Sequence, residues 1–481
     1  MGTQGSSTPL ETRVQSATDV SFDEQADIVV AGAGGTGLVA ALAACEDPDI
    51  SVHLYEKADK AGGNAALSTG MIPAAGTRLQ QDAGIEETPA DFVADVMAKN
   101  GGNADRAMVE HLCQTNIDLI HWMVDEWDIT LHLVADFKYP KHSEYRMHAP
   151  DGRNGENLVA EFVERIREQP NIAFHTQRPV TGLVAEDGAV CGVLVDSITE
   201  DGELENDPTA VAAEKVILAT DGFAGNTEMV TEYCDEMVDA LYYGSPGNTG
   251  DGIRLGKELG GTLACMDAYQ GHATVAADTE TLSTYAVIMN GGIMVNSDGE
   301  RFGNESAGYS KFAVSVVQQP GNIAYEIFDK SIFDSLRGEF EDFEKAIELG
   351  SYIHGETLSE IAEKLDLPVE QVNETVATYN DAVAAGEPDD TGRVDGRSVL
   401  SAPFVAAKVT GALFHTQGGL VVDKNGRVLR EDGSAIENLY AGGGVAVGIS
   451  GNGAGGYLSG NGLTAACGLG RLAGIDARKT L

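Results

Sequence analysis

The stretch Asp27-Ile-Val-Val-Ala31-Gly32-Ala33-Gly34-Gly35-Thr36-Gly37 decides how the rest of the chain is read. The apolar run Ile28–Ala31 predicts a short buried strand of the kind found in parallel sheets. Glycines follow as a turn, and then Leu38-Val-Ala-Ala-Leu-Ala-Ala44 is a strong helix former. A second strand, Ile50–Tyr55, ends on Glu56, nineteen residues after Gly37. Strand, glycine turn, helix, strand and acidic residue make one complete βαβ unit with G-x-G-x-x-G spacing. Gly32 permits the tight turn, Gly34 lets backbone approach a pyrophosphate, and Gly37 lets helix and strand pack closely. The helix N-terminus offers free N–H groups and a positive dipole end to phosphates, and Glu56 can accept from ribose hydroxyls. This predicts a dinucleotide site; the motif alone does not choose between FAD and NAD.

The chain outside this unit is long, acidic and well able to fold. It has 481 residues, 43% hydrophobic, with 31 Lys+Arg against 75 Asp+Glu and a net charge of -44. That composition supports a large core. It argues against a nucleic-acid partner, which needs clustered Lys and Arg, and against an anionic membrane surface. No apolar run approaches the ~20 residues of a membrane helix. Six scattered cysteines without a C-x-x-C argue against a metal or iron–sulfur centre and fit a reducing cytoplasm. The acidity reads either as an ordinary acidic bacterial protein or as adaptation to high salt.

Residues 1–25 read as a polar tail with no export signal. A further βαβ-compatible stretch runs from Asn171 to Thr220, with extended pieces at Val180–Val184 and Val190–Val195. Between Tyr269 and Ala407 the texture changes to glycine turns and aromatics, then two helical patterns: Leu358, Ile361, Ala362, Leu365 and Val369, Val372, Val376, Tyr379. After Gly411 strands return, followed by a glycine-dense run, 442–462, that leads into a last helix. The expected fold class is α/β, a Rossmann-like nucleotide-binding domain (26–268 and 408–481) interrupted by a smaller α+β substrate-binding or capping domain (269–407).

Further motifs carry a resemblance. Gly62-Gly63-Asn64 and Ser68-Thr69-Gly70 follow the βαβ unit; later come Ile217-Leu-Ala219-Thr220-Asp221-Gly222-Phe-Ala-Gly-Asn226, Asn248-Thr-Gly250-Asp251-Gly252 and Gly292-Ile-Met-Val-Asn296-Ser-Asp-Gly299-Glu-Arg301-Phe302-Gly-Asn304-Glu305. In this order they resemble the fumarate reductase/succinate dehydrogenase flavoprotein superfamily. The resemblance implies non-covalent FAD, held by Gly32, Ala33, Gly34, Gly35, Thr36, Gly37, Glu56, Lys57, Gly62, Gly63, Asn64, Ser68, Thr69 and Gly70. Val180, Ala219, Thr220, Asp221, Asn226, Asp251, His415, Gly443, Gly444, Ser459, Gly462 and Leu463 complete the implied set. No metal is implied.

The departures from the family pattern point to the chemistry. Dicarboxylate-reducing members grip two carboxylates with arginines, for which a bidentate guanidinium is suited. Aligned block by block, the proton-donating arginine falls on Tyr309 and the second arginine on Tyr457, in Tyr457-Leu-Ser459-Gly460-Asn461-Gly462. A family histidine falls on Phe414, and the proton-relay Glu and Arg fall on Tyr285 and Ile288, whereas His272-Ala-Thr274 keeps the family's His-Pro-Thr. Tyrosines at the two arginine positions look like the 3-ketosteroid dehydrogenase branch, although Gly460-Asn461 resembles the dicarboxylate branch. The resemblance implies an FAD oxidoreductase acting on CH–CH groups next to a carbonyl, with a neutral small-molecule substrate and a separate electron donor or acceptor. Tyr309 would move the proton. Tyr457 and the N–H groups near Gly460–Gly462 would stabilise the enolate oxygen, with Ser459 in support and His272 as a further substrate contact.

The alternatives are a reductase of an unsaturated acid, which would need Arg146 or Arg153 in the pocket, and a flavin-binding protein without turnover. Lys138–His148 reads as a loop over the pocket that contributes Tyr139 and Tyr145.

Overall fold

A computed structural model describes residues 9–199, 201–205 and 207–481. The chain forms two compact units: one of residues up to Cys234 with Gly244–Tyr269 and His415–Leu481, the other of Asp235–Tyr243 with Gln270–Phe414. The inserted unit therefore reaches seven residues beyond the expected end at 407 and recruits a short upstream segment.

In the larger unit, five strands run parallel in the order Ile172–His175, Val52–Tyr55, Glu24–Ala31, Thr209–Leu218, Ala435–Ala441. The helix Gly35–Ala44 is buried along its whole length, as its near-continuous Ala/Leu/Val composition requires. Residues Ile28, Val30, Leu38, Leu42, Leu54, Phe162 and Ile217 belong to one core cluster beside it.

Two expectations need correction. The stretch 171–220 is not a βαβ unit: Val180–Glu186 and Ala189–Val195 form an antiparallel hairpin closed at Asp187-Gly188, both in the left-handed region (φ 51° and 83°). Part of the expected tail is a strand. Arg13–Ser16 pairs in parallel with Gly182–Ala185, the Val14 N–H donates to Glu258 Oε1 (3.2 Å), and Arg254 Nη2 donates to the Leu10 carbonyl (2.7 Å). Residues 1–8 lie outside the described residues.

The inserted unit is built on the long strand Phe404–Thr416. Tyr269–Ala276 and Ile323–Asp329 flank it, and Leu241–Tyr242 and Tyr352–Gly355 pair with it as well. The two helical patterns are the helices Leu358–Lys364 and Val369–Ala385.

Candidate functional site

In the larger unit, strand Glu24–Ala31 and helix Gly35–Ala44 bring the first glycine motif beside Gly62–Gly63: Gly62 N–H donates to the Ala33 carbonyl (3.0 Å), and Gly34 bridges Gly62. The three motif glycines have different reasons to be glycine. Gly32 has φ +104°, and a Cβ there would run into Ala219 backbone; a Cβ on Gly37 would overlap the Gly32 carbonyl oxygen. At Gly34 the nearest atom to a built Cβ is Gly62 O at 3.8 Å, so the protein's own packing does not require glycine there. An open backbone cradle at the second glycine, facing a helix N-terminus, is what a pyrophosphate needs. Glu56, at the strand end, is held by the Ala33 and Ala58 N–H groups, one on each carboxylate oxygen (2.7 and 2.8 Å). Each oxygen keeps an acceptor site for a ribose hydroxyl. Burial raises the carboxyl's affinity for protons, and the two N–H donors oppose that. These residues fit FAD.

Several of the implied cofactor residues are engaged with one another. Lys57 Nζ pairs with Asp251 Oδ2 (2.7 Å) and donates to Thr249 Oγ1 (2.9 Å). Asn226 caps the helix Thr227–Tyr233, accepting from Glu228 and Met229 N–H while donating to the Thr249 carbonyl. Asn64 receives Ser245 N–H and donates to Asp221. Thr220 Oγ1 accepts from Gly252 N–H (2.9 Å). Ser68 Oγ bridges the Ala65 carbonyl and Gly70 N–H, shaping the turn through Thr69. These side chains build the walls, which leaves mostly backbone at the surface of the cradle. Val180, Ala219 and Gly443 are buried, and Leu463 packs against the core beside Gly35. A Cβ on Gly444 would crowd Asp221.

His415 stands on the same unit, edge-to-face with Tyr457 (5.7 Å) and beside Gly462. Gln417 Nε2 lies 3.1 Å from His415 Nδ1, and Gln417 Oε1 accepts from Ser450 Oγ, which in turn accepts from Asn461 Nδ2. Burial lowers the His415 pKa, with nearby Asp221 opposing. Tyr457 is buried, and its hydroxyl lies over the Gly460–Gly462 turn, 3.6 Å from a Cβ built on Gly462. Ser459 is buried, and its carbonyl accepts from His142 Nε2. Tyr139 neighbours Tyr457 electrostatically, whereas Tyr145 lies under the Lys138 ammonium.

On the inserted unit, four rings form a column. Tyr243 stacks on Phe414 (5.2 Å), Phe414 on His272 (5.3 Å), and His272 on Tyr309 (4.8 Å). Three adjacent strand segments supply the first three rings in a row across one sheet face, as the ~4.8 Å strand spacing allows. Tyr309 opens the helix Tyr309–Val317 behind Gly308 (φ 97°). Tyr285 meets both His272 and Tyr309 edge-on and donates to the Glu305 carbonyl. Burial pushes His272 down to about 3, so it is neutral at pH 7 and supplies no positive charge.

Tyr243 escapes a sequence reading, as does its stacking on Phe414, because nothing in their spacing reports the strand pair Tyr242–Leu413 that places them together. Either arginine that the unsaturated-acid alternative could draw on is paired with carboxylates. Arg146 is buried between Glu87 and Asp95, and Arg153 pairs with Asp136 (2.5 Å).

The family model described as FAD binding domain (FAD_binding_2) matches residues 27–463. A fumarate reductase (cytochrome) of Shewanella frigidimarina is 32% identical over 476 residues, covering 97% of this chain and 79% of that protein. The open conformation of a flavocytochrome c3 fumarate reductase superposes with a TM-score of 0.80 at 29% identity, covering 96% of this chain and 80% of that one. The 3-ketosteroid-Δ4-(5α)-dehydrogenase of Rhodococcus jostii RHA1, solved with 4-androstene-3,17-dione, gives 0.77 at 26% identity, covering 97% and 99%. Among the described residues no helix is long and apolar enough to cross a membrane, and no His/Cys/Asp/Glu group is arranged to hold a metal.

Proposed function

The chain belongs to the FAD_binding_2 family of the succinate dehydrogenase/fumarate reductase flavoprotein superfamily and is an FAD-dependent oxidoreductase of C=C/CH–CH groups; from that premise we propose that its substrate is a neutral, flat ketone of the 3-ketosteroid or cyclic-ketone type. The observation that carries this reading is the ring column Tyr243–Phe414–His272–Tyr309, in which Phe414 and Tyr309 stand where the resemblance puts a histidine and an arginine in dicarboxylate enzymes. Stacked rings offer area to a flat apolar molecule and give a dianion nothing to pair with.

Bound FAD supplies the hydride acceptor, or the donor in the reverse direction. Tyr309, once its own O–H proton has passed to solvent, takes the proton from the carbon next to the carbonyl during desaturation and returns it during reduction. Tyr457 donates its O–H to the carbonyl oxygen as negative charge grows there. The buried, neutral His272 holds the Tyr309 ring by stacking and lines the substrate surface. Six free cysteines suit a reducing, cytoplasmic compartment.

The higher identity to fumarate reductases favours a second reading, an unsaturated carboxylic acid. It requires a cation, and both arginines available to it are committed to carboxylates. Anaerobic mixing of the yellow protein with androstanedione (a saturated 3-ketosteroid), and of the chemically reduced protein with fumarate, separates the two. Bleaching by the ketone is expected. Reoxidation by fumarate without any response to ketones would overturn the proposal.

A further inference from the structure

Arg146 and His142 lie in the segment that reads from sequence as a loop over the pocket, yet both are buried in the larger unit. The Arg146 guanidinium rests on the Phe92 ring (4.8 Å), donates to Glu87 Oε1, and pairs with Asp95 Oδ2 (2.7 Å). Its Nη1 also donates to His142 Nδ1 (3.1 Å). Arginine has donors only, so His142 Nδ1 must accept and the imidazole proton must sit on Nε2. The other side of the ring requires the same tautomer. His142 Nε2 lies 3.0 Å from the Ser459 carbonyl oxygen, which can only accept.

The Ser459 carbonyl and the Gly460 N–H belong to one peptide plane, and in a trans peptide they point in opposite directions. The Tyr457 hydroxyl lies over the turn that follows this peptide, 3.6 Å from a Cβ built on Gly462. A grip on the Ser459 carbonyl therefore fixes the turn beneath that hydroxyl. The turn has little other freedom: Gly460 has φ +86°, with Pro73 packed against it.

We propose that His142, locked as the Nε2–H tautomer by Arg146, is the positioning residue of Tyr457: it holds the Ser459–Gly460 peptide, and with it the turn over which the Tyr457 hydroxyl lies, so that the Tyr457 O–H is left to the substrate. This rests on the reading of Tyr457 as the carbonyl donor. It also gives Arg146 a role other than substrate binding, with its charge fixed by two carboxylates and one N–H aimed at the imidazole.

The test uses the flavin-loaded protein labelled with 3-fluorotyrosine, the Tyr457 ¹⁹F signal being assigned from Tyr457→Phe. His142→Phe keeps the ring and removes both hydrogen bonds. It is expected to retain flavin, move the Tyr457 signal, and slow flavin bleaching by androstanedione roughly 10- to 100-fold. His142→Gln, whose amide can accept from Arg146 and donate to Ser459, is expected to restore both readouts. Adding His142→Phe to Tyr457→Phe is expected to cost little further rate. An unmoved Tyr457 signal, or fully additive losses, would overturn the proposal. Should His142→Phe not fold, the ¹⁵N histidine spectrum of the unaltered protein decides: an Nε2–H tautomer at His142 supports the assignment and Nδ1–H overturns it. If the ketone fails to bleach the unaltered protein while the ¹⁹F signal still moves, the substrate reading falls and the positioning role stands.

Discussion

Asn64 Nδ2 donates to Asp221 Oδ2 at 2.8 Å, and this bond holds a non-glycine residue in the left-handed region, at φ 66°. Aspartate is among the few residues that tolerate this backbone, and here its other oxygen accepts from Gly222 N–H (2.8 Å). Asp221→Gly should therefore change the melting temperature little, because relief of the backbone compensates for the lost bonds. Asp221→Val should destabilise by roughly 2 kcal/mol or more, since a β-branched residue suits neither the backbone nor the site. Equal melting temperatures for the two variants would refute this.

The glycine motif separates folding from binding. Gly37→Ala drives a methyl into the Gly32 carbonyl and should lower the melting temperature even of flavin-free protein. Gly34→Ala meets nothing closer than 3.8 Å, so the apoprotein should melt normally while FAD affinity falls. Apoprotein melting and flavin titration, measured on both variants, check the contrast.

Glu326 supplies a pH dependence of known sign. Its Oε2 accepts from Ser283 Oγ (2.8 Å), its Oε1 is buried without a hydrogen-bond partner, and burial pushes its pKa up to about 8. The folded state keeps this proton between the unfolded value near ~4.5 and about 8. This group's contribution to stability is thus full below ~4.5 and is lost as pH rises to about 8, by an amount on the order of a few kcal/mol. Glu326→Gln should gain on the unaltered protein across that window. Urea denaturation of both proteins from pH 5 to pH 9 tests it, and parallel curves would count against it.

Tyr309→Phe should slow flavin reduction while ketone binding changes little, because the group that moves the proton is gone and the ring column remains. Tyr457→Phe should weaken ketone binding and slow reduction by about 10²- to 10³-fold, as expected for one lost oxyanion donor. Rapid-mixing kinetics with a ketone that turns over would refute the pairing if both variants kept normal rates.

A net charge of -44 repels itself, and salt screens that repulsion. Melting temperatures should rise from low to molar KCl. A flat or falling curve would leave the acidity without a halophilic meaning.

Local physics makes the nucleotide-binding unit legible in the chain itself. Ile28–Ala31, the glycine turn, the helix and Glu56 lie within thirty residues, and each step is dictated by its own neighbours. Asp187-Gly188 carries an equally local hairpin signal, which a βαβ reading of 171–220 passes over. The strand Arg13–Ser16 gives no such sign: its polar residues join the sheet through backbone pairing with Gly182–Ala185, and backbone hydrogen bonds do not depend on side-chain pattern.

The tyrosines at 309 and 457 are visible as substitutions, but their surroundings are not. Tyr243 reaches Phe414 only because a two-residue strand pairs with residues 412 and 413, and His142 meets Ser459 across 317 positions of sequence. Composition and spacing determined a dinucleotide fold, and the family resemblance marked two places without the expected arginines. Tertiary structure alone decided that Tyr309 ends a stack of rings while Tyr457 meets His415 edge-on, and that Arg146 serves a buried hydrogen-bond network. The reason is physical: periodicity and turn chemistry act over a few residues, whereas stacking, burial of charge and the choice of a histidine tautomer depend on what distant segments bring within 3–6 Å.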